Sequence, residues 1–453
     1  MQDIRPGNAG TPRIGRSSLA IEDCVCAIIL AFFAVQGAVP FIAPHQALEV
    51  NNSPASGVTF WGGIASQVLV YATICFFLCA NWRRVVHWFP ATRWTAVFGC
   101  LAIISSVWSQ FPLYTLRRSI PFLFAGLFGL FFAVRFPVRR QLSILFMAML
   151  AVALGTILLA VLVPRIGLDA TFGHSADWQG VFTSKNACGR MMVLATAITL
   201  SQSEGTGRKV LSLALFIFVL VMSGSRGAWA IEAAVFASYV AIKVLGLMDS
   251  RSRVLLLLGS LIAITTAAVA GAMHLSALSQ LVGRDATLTG RTQIWKQVWP
   301  FILERPILGW GYAGFWRGIQ GESFRVAAAM RFVIFHAHNG FLEIWLELGA
   351  VGLFIFGCSY LRAWRKLWPR LRSGRIERVS WMFFVLALVA LYDLDENSLL
   401  IDNGLFWVIY VATLVDIELL EVEEQLIENL STLLSNTGAL QNTHSSTIDR
   451  VWA

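Results

Sequence analysis

Residues 334 to 356 read IFHAHNGFLEIWLELGAVGLFIF. Two histidines and an asparagine, His336, His338 and Asn339, stand directly in front of an apolar run long enough to cross a bilayer. A stretch of roughly 17 to 25 apolar residues spans about 30 Å of hydrocarbon. It has to be helical, because in lipid each segment must satisfy its own backbone hydrogen bonds. Similar runs recur near 24–43, 60–80, 94–109, 119–135, 140–163, 187–202, 209–224, 227–246, 253–273, 379–395 and 402–418, so that with 339–361 the sequence predicts twelve spans.

Composition agrees. The chain has 453 residues, is 57% hydrophobic and 13% charged, and has a mean hydropathy of +0.67; soluble domains are usually about 25% charged. The expected fold is an all-α polytopic membrane protein of about 12 transmembrane helices with one large outer loop. Its parts are an inner tail (1–23), nine spans (24–273), the outer loop (274–338), three spans (339–418) and an inner amphipathic helix with a disordered tail (419–453).

Basic residues set the orientation. With the N-terminus inside, 22 of the 35 Lys and Arg fall on inner segments, seven of them in the stretch from Arg362 to Arg378 after the tenth span. The positive-inside rule then places both termini in the cytoplasm. A net charge of +9 therefore reflects topology first, and cations spread over loops argue against a nucleic-acid partner. The exceptions are Arg117, Arg118, Arg165, Lys185, Arg190, Arg226, Arg284, Arg291, Lys296, Arg305, Arg317, Arg325 and Arg331, on the outer side. Arginine offers a planar fork matched to phosphate oxygens, and the alternative for each is a solvated loop charge. The seven cysteines lie in or beside apolar spans with no paired spacing in an outer loop, so no disulfide framework is expected.

The outer loop breaks the rhythm of spans. Within it RTQIWKQVWPFILERPILGWGYAGFW opens as a helix with Ile294, Val298 and Ile302 on one face, then turns at Pro306, Gly309, Gly311 and Gly314. Trp295, Trp299, Trp310 and Trp316 suit a segment lying at the membrane interface.

His338-Asn339, nine residues, then Gly349 and Gly352 form a pattern that resembles the O-antigen ligase and polymerase superfamily, the WaaL and Wzy-type proteins. GVFTSKNACG with Lys185-Asn186, SGSRGAW with Arg226, and LTGRTQIW with Arg291 are similar to further motifs of that family, in the same order. The resemblance runs from about residue 100 to 418 and is strongest to exopolysaccharide polymerases of the ExoQ kind. It implies transfer of a glycan from undecaprenyl diphosphate to a sugar hydroxyl, at the periplasmic face of the bacterial inner membrane. The implied partners are the lipid-linked oligosaccharide, the bilayer, a chain-length regulator and export machinery. No cofactor is implied.

The residues suit that chemistry. Breaking the anomeric bond puts negative charge on the leaving diphosphate, which arginines stabilise electrostatically; Arg226 and Arg291 are the candidates. The acceptor hydroxyl must lose a proton, and a neutral imidazole is a suitable general base; the candidate is His338. Lys185, Asn186, Asn339, Arg117, Arg118 and Glu343 are candidate substrate contacts, although Lys185-Asn186 also suits a helix N-cap and interface anchor. Glu343 and Glu347, one turn apart, are expected to face the protein interior and to orient His338 or a sugar hydroxyl. His336 is read as structural. His336 and His338 with Glu343 have metal-ligand spacing, but no third well-placed ligand is evident, so no metal is expected. Two other readings stay open: ligation of a finished glycan to lipid A core, and transport of a lipid-linked saccharide. A transporter would place its ionisable residues at the midplane between two repeats, whereas here they cluster at outer ends.

Overall fold

A computed structural model describes residues 16–37, 58–169, 177–202, 205–247, 291–372 and 376–436. The expected ninth span (253–273), Arg284 and the first part of the outer loop lie outside the described residues, as do residues 437–453. The described residues are helical, with no strand beyond two isolated bridges. In chain order the helices are α1 (Arg16–Ala34), α2 (Val58–Ala80), α3 (Trp82–Trp88), α4 (Arg93–Ile104), α5 (Pro112–Arg135), α6 (Val138–Leu162), α7 (Pro164–Gly167), α8 (Lys185–Ser201), α9 (Thr206–Met222), α10 (Arg226–Leu247), α11 (Arg291–Glu304), α12 (Ser323–Met330), α13 (Gly340–Arg372), α14 (Ile376–Asp395) and α15 (Leu405–Asn436). Among the described residues, five helices are long and apolar enough to cross a membrane: α2, α5, α6, α10 and α13.

The third expected span (94–109) falls on α4 and the turn that follows it. α4 ends at Ile104 and a 3₁₀ turn follows at Ser105–Val107. The chain turns there because Ser105 is used locally: its hydroxyl donates to Ala102 O at 2.7 Å and accepts the Tyr312 N–H at 2.9 Å. α5 then begins at Pro112, so Arg117 and Arg118 sit in its first two turns.

The described residues of Met1–Ile74, Arg139–Tyr239 and Ile401–Leu405 form one compact unit. Its centre is α8, buried from Ala187 to Leu200. Gly189 permits close packing there, since a Cβ would lie 2.8 Å from the Cβ atoms of both Ala228 and Ser225. Asp23 pairs with Arg140 at 2.9 Å, and Tyr71 donates to Asn403 Oδ1 at 2.8 Å.

The described residues of Cys75–Val138, Val240–Leu400 and Phe406–Ala453 form the second unit. Trp407 stacks on Phe122 with ring centres 4.5 Å apart and donates to Phe122 O at 3.1 Å. Of the basic stretch expected as an inner loop, Arg362 to Arg372 are the last turns of α13, and Arg375 lies outside the described residues. Arg362 and Lys366 pair there with Glu418, Lys366 also with Glu421, and Arg370 with Glu424. The acidic face expected on the tail helix is thus neutralised, and α15 runs unbroken through the boundary expected at 418.

Two further corrections concern the segment before His338. Ile294, Val298 and Ile302 are buried on one face of α11, as their spacing predicts. Trp310 and Trp316 join them in a small core with Phe301, Phe315 and Val326, rather than lying at an interface. α13 is broken at Gly349 (φ 67°, ψ −169°), where an uninterrupted span was expected. The break has a partner. Trp310 and Gly311 donate their N–H groups to Leu346 O and Glu347 O, and the N–H groups of Ala350 and Val351 donate to Pro306 O and Ile307 O. Backbone groups freed by the break are thereby satisfied, as burial requires. Only glycine fits at 349, since a Cβ would lie 2.1 Å from Ile307 O.

Candidate functional site

His338 stands at the end of an extended stretch in front of α13 and adopts φ 50°, a left-handed conformation uncommon outside glycine. Three contacts hold it. The Ala337 N–H donates to Glu343 Oε2 at 2.7 Å, fixing the residue before. Asn339 caps α13, its Oδ1 accepting the Leu342 N–H at 2.9 Å. Gly340 lies so close to α14 that a Cβ would stand 1.9 Å from Asp393 Oδ1.

Asp393 in turn shapes the loop opposite. It is fully buried, accepting the Ser398 N–H and hydroxyl, both at 2.9 Å, and the Leu399 N–H at 3.4 Å. The loop so folded carries Glu396 to His338, whose Nδ1 is 3.1 Å from Oε1 and 3.0 Å from Oε2. A carboxylate only accepts, so Nδ1 carries the imidazole proton and Nε2 keeps its lone pair. Arg291, the first residue of α11, reaches the same loop with Nη1 2.5 Å from Asp395 Oδ1 and Nη2 3.2 Å from Glu396 Oε1. His336 Nε2 lies 3.4 Å from Glu396 Oε2. Burial works against the charge on Glu396. The hydrogen bond from His338, the charge that His338 and His336 carry when protonated, and the Arg291 guanidinium outweigh it and hold the carboxyl at about 2.

The second unit therefore brings together Arg291, His338 and a carboxylate that the sequence reading missed. The signal was in YDLDENSLL, where Asp393, Asp395 and Glu396 crowd the end of an apolar run. The expectation of no third metal-type ligand beside His336 and His338 is corrected: donor atoms of His336, His338 and Glu396 lie within 4.8 Å of one another. Glu343 and Glu347 are buried, as expected. The Glu343 carboxylate faces the Ala337 amide, which favours an orienting part over direct substrate contact. Arg118 lies over the Tyr114 ring at 5.8 Å, whereas Arg117 is exposed.

Lys185, Asn186 and Arg226 belong to the first unit. Ser184 is the N-cap of α8, its Oγ accepting the Ala187 N–H at 3.2 Å, so the capping role considered for Lys185-Asn186 falls to its neighbour. Lys185 pairs with Asp177 at 2.7 Å, and the Ser225 hydroxyl donates to Asn186 Oδ1 at 3.1 Å. That bond ties the start of α8 to the turn before Arg226. Arg226 is exposed and has no side-chain partner among the described residues. Other outer cations are spent on structure: Arg305 lies 4.0 Å from the Trp310 ring centre and donates to Trp108 O, and Arg317 lies 3.6 Å from the Tyr114 ring centre.

Residues 211–357 match a family model described as O-Antigen ligase. Over 320 residues the chain is 28% identical to the Exopolysaccharide production protein ExoQ of Rhizobium meliloti (strain 1021), an alignment covering 67% of this chain and 72% of that protein. The resemblance to O-antigen ligase and ExoQ-like proteins is shown. It supports a function of the polysaccharide polymerase or ligase type. The segment matching the O-antigen ligase model contains Arg226, Arg291, His338, Asn339 and Gly349, and it ends before Glu396.

Proposed function

We propose that the protein is a glycosyltransferase that polymerises oligosaccharide repeat units carried on undecaprenyl diphosphate into an exopolysaccharide or an O-antigen-like polysaccharide. The reaction proceeds at the periplasmic face of the bacterial inner membrane, with both termini cytoplasmic and the segment before His338 on the outer side. It inverts the anomeric centre and needs no metal. The observation that carries this reading is the His338–Glu396 pair at 3.0 Å, whose histidine lies in the segment similar to O-antigen ligases.

The acceptor sugar hydroxyl gives its proton to His338 Nε2 as its oxygen attacks the anomeric carbon. The imidazolium so formed is stabilised by Glu396, which already accepts the Nδ1 proton. The bond from the anomeric carbon to the diphosphate breaks with its electron pair, and the charge that builds on phosphate is met by Arg226. Arg291 assists from a position where it also holds Glu396. Lys185, Asn186, Arg117 and Arg118 are proposed contacts to the lipid-linked substrate, and a chain-length regulator and export machinery are proposed partners.

The description of the matched family favours one rival, transfer of glycan to lipid A core. Purified protein given only a lipid-linked oligosaccharide separates the two. A ladder of product lengths with no lipid A core present is the expected result. Inertness until lipid A core is added, followed by a single lipid A-linked product, would make the protein a ligase.

A further inference from the structure

We propose that His336, His338 and Glu396 form a binding site for one divalent transition-metal ion of the zinc class, and that its occupancy switches glycan transfer off. The inhibitory half rests on the reading of His338 as general base; the binding site does not.

The geometry is that of a three-ligand site with an open position. An ion bonded at about 2.0–2.1 Å to imidazole nitrogen and carboxylate oxygen in a tetrahedron keeps its ligand atoms about 3.3 Å apart. Glu396 Oε2 lies 3.4 Å from His336 Nε2 and 3.0 Å from His338 Nδ1. The two rings meet edge to face at 81° with centres 4.0 Å apart, so their nitrogens approach from different directions. The side chains of His336 and His338 are 33% and 29% exposed, which leaves a path for an ion and a fourth position for water.

The site is also held in place before any ion arrives. Glu343 fixes the Ala337 amide between the two histidines, and Asn339 caps the helix that follows. Arg291 bonds Glu396 through Oε1, which also lies 3.1 Å from His338 Nδ1, and leaves Oε2 as the oxygen within reach of both imidazoles, as partners around a metal site orient its ligands. The guanidinium charge weakens cation binding, which suits a reversible inhibitor better than a resident ion. Two imidazoles and one carboxylate select zinc, nickel, copper or cobalt over magnesium or calcium, which prefer all-oxygen shells.

Inhibition follows from one proton. The ion takes the Nδ1 lone pair of His338, so the single proton of the neutral ring moves to Nε2. Nε2 then donates and has no lone pair for the acceptor hydroxyl, and Glu396 is no longer available to an imidazolium.

Full-length protein without a polyhistidine tag, purified in detergent, is titrated with Co²⁺ as an optical probe. A visible ligand-field band that saturates at one ion per chain is expected, and Zn²⁺ displaces it. His336→Ala and Glu396→Gln each weaken cobalt binding by at least about tenfold. Zinc that halves wild-type transfer leaves His336→Ala at its own zinc-free rate, and chelator restores the wild type. No saturating band, or equal titrations in wild type and His336→Ala, overturns the site. Cobalt bound at these residues with transfer insensitive to zinc overturns the inhibition and counts against His338 as base. Transfer lost in chelator would instead refute metal-independent catalysis, a separate outcome.

Discussion

Glu396 and His338 stand 58 residues apart in the chain and meet at 3.0 Å, each held there by a device of its own. His338 is fixed in a left-handed backbone conformation by Glu343, Asn339 and the close approach of Gly340 to Asp393. Glu396 is fixed by the loop that Asp393 folds and by Arg291. Strain of the order of 1–3 kcal/mol at such a backbone position persists only where its surroundings over-determine it. The proposed base, poised beside a carboxylate, is a reason to keep that strain.

His338→Ala is expected to abolish transfer, and because it also removes a partner of the Glu396 carboxylate, rates are compared at matched protein level in the membrane. Glu396→Gln keeps the shape and loses the charge, so transfer falls by about 10²-fold or more with the acceptor KM little changed. Rates measured at matched expression check both, and wild-type activity in His338→Ala would remove the base.

Acid should weaken the fold through Glu396. Its folded-state value, about 2, is depressed from 4.5. Its contribution is therefore fully present above 4.5 and is lost as pH falls from 4.5 toward 2. The difference amounts to about 3 kcal/mol. Melting temperatures in detergent should fall across that window for the wild type. In Glu396→Gln they should start lower at neutral pH and fall less, and identical acid profiles would argue against the pairing.

Gly349→Ala forces a Cβ to within 2.1 Å of Ile307 O at a positive φ, whereas Gly357, on the same helix, has nothing within 4 Å of an added Cβ. Gly349→Ala should cost about 2 kcal/mol or more and lower both the melting temperature and transfer. Gly357→Ala should leave both unchanged or slightly improved. Equal behaviour of the two variants would mean that the break in α13 is not needed.

Arg226 and Arg305 should part company. Arg226→Ala leaves stability near the wild type and lowers transfer strongly, with Arg226→Lys restoring only part because the planar fork is lost. Arg305→Ala removes a guanidinium from the Trp310 ring and from Trp108 O, so it lowers the melting temperature first. Unimpaired transfer in Arg226→Ala would take the diphosphate role away from that residue.

What the sequence determined by itself was local. Apolar runs longer than any soluble helix needs dictate helices in lipid, and the spacing of Ile294, Val298 and Ile302 foretold the buried face of α11, because periodicity depends only on neighbours along one element. The pattern from His338 to Gly349 was legible for the same reason. Tertiary structure decided what lies across elements. Nothing in sequence spacing says that Glu396 reaches His338 or that the amides of Trp310 and Gly311 fill the break at Gly349. Nor does spacing say that Arg305 and Arg317 lie on aromatic rings while Arg226 is exposed. Such pairings depend on which turns the chain takes between helices. Those turns are set by single buried groups, Ser105 after α4 and Asp393 at the end of α14, whose partners exist only once the helices have packed.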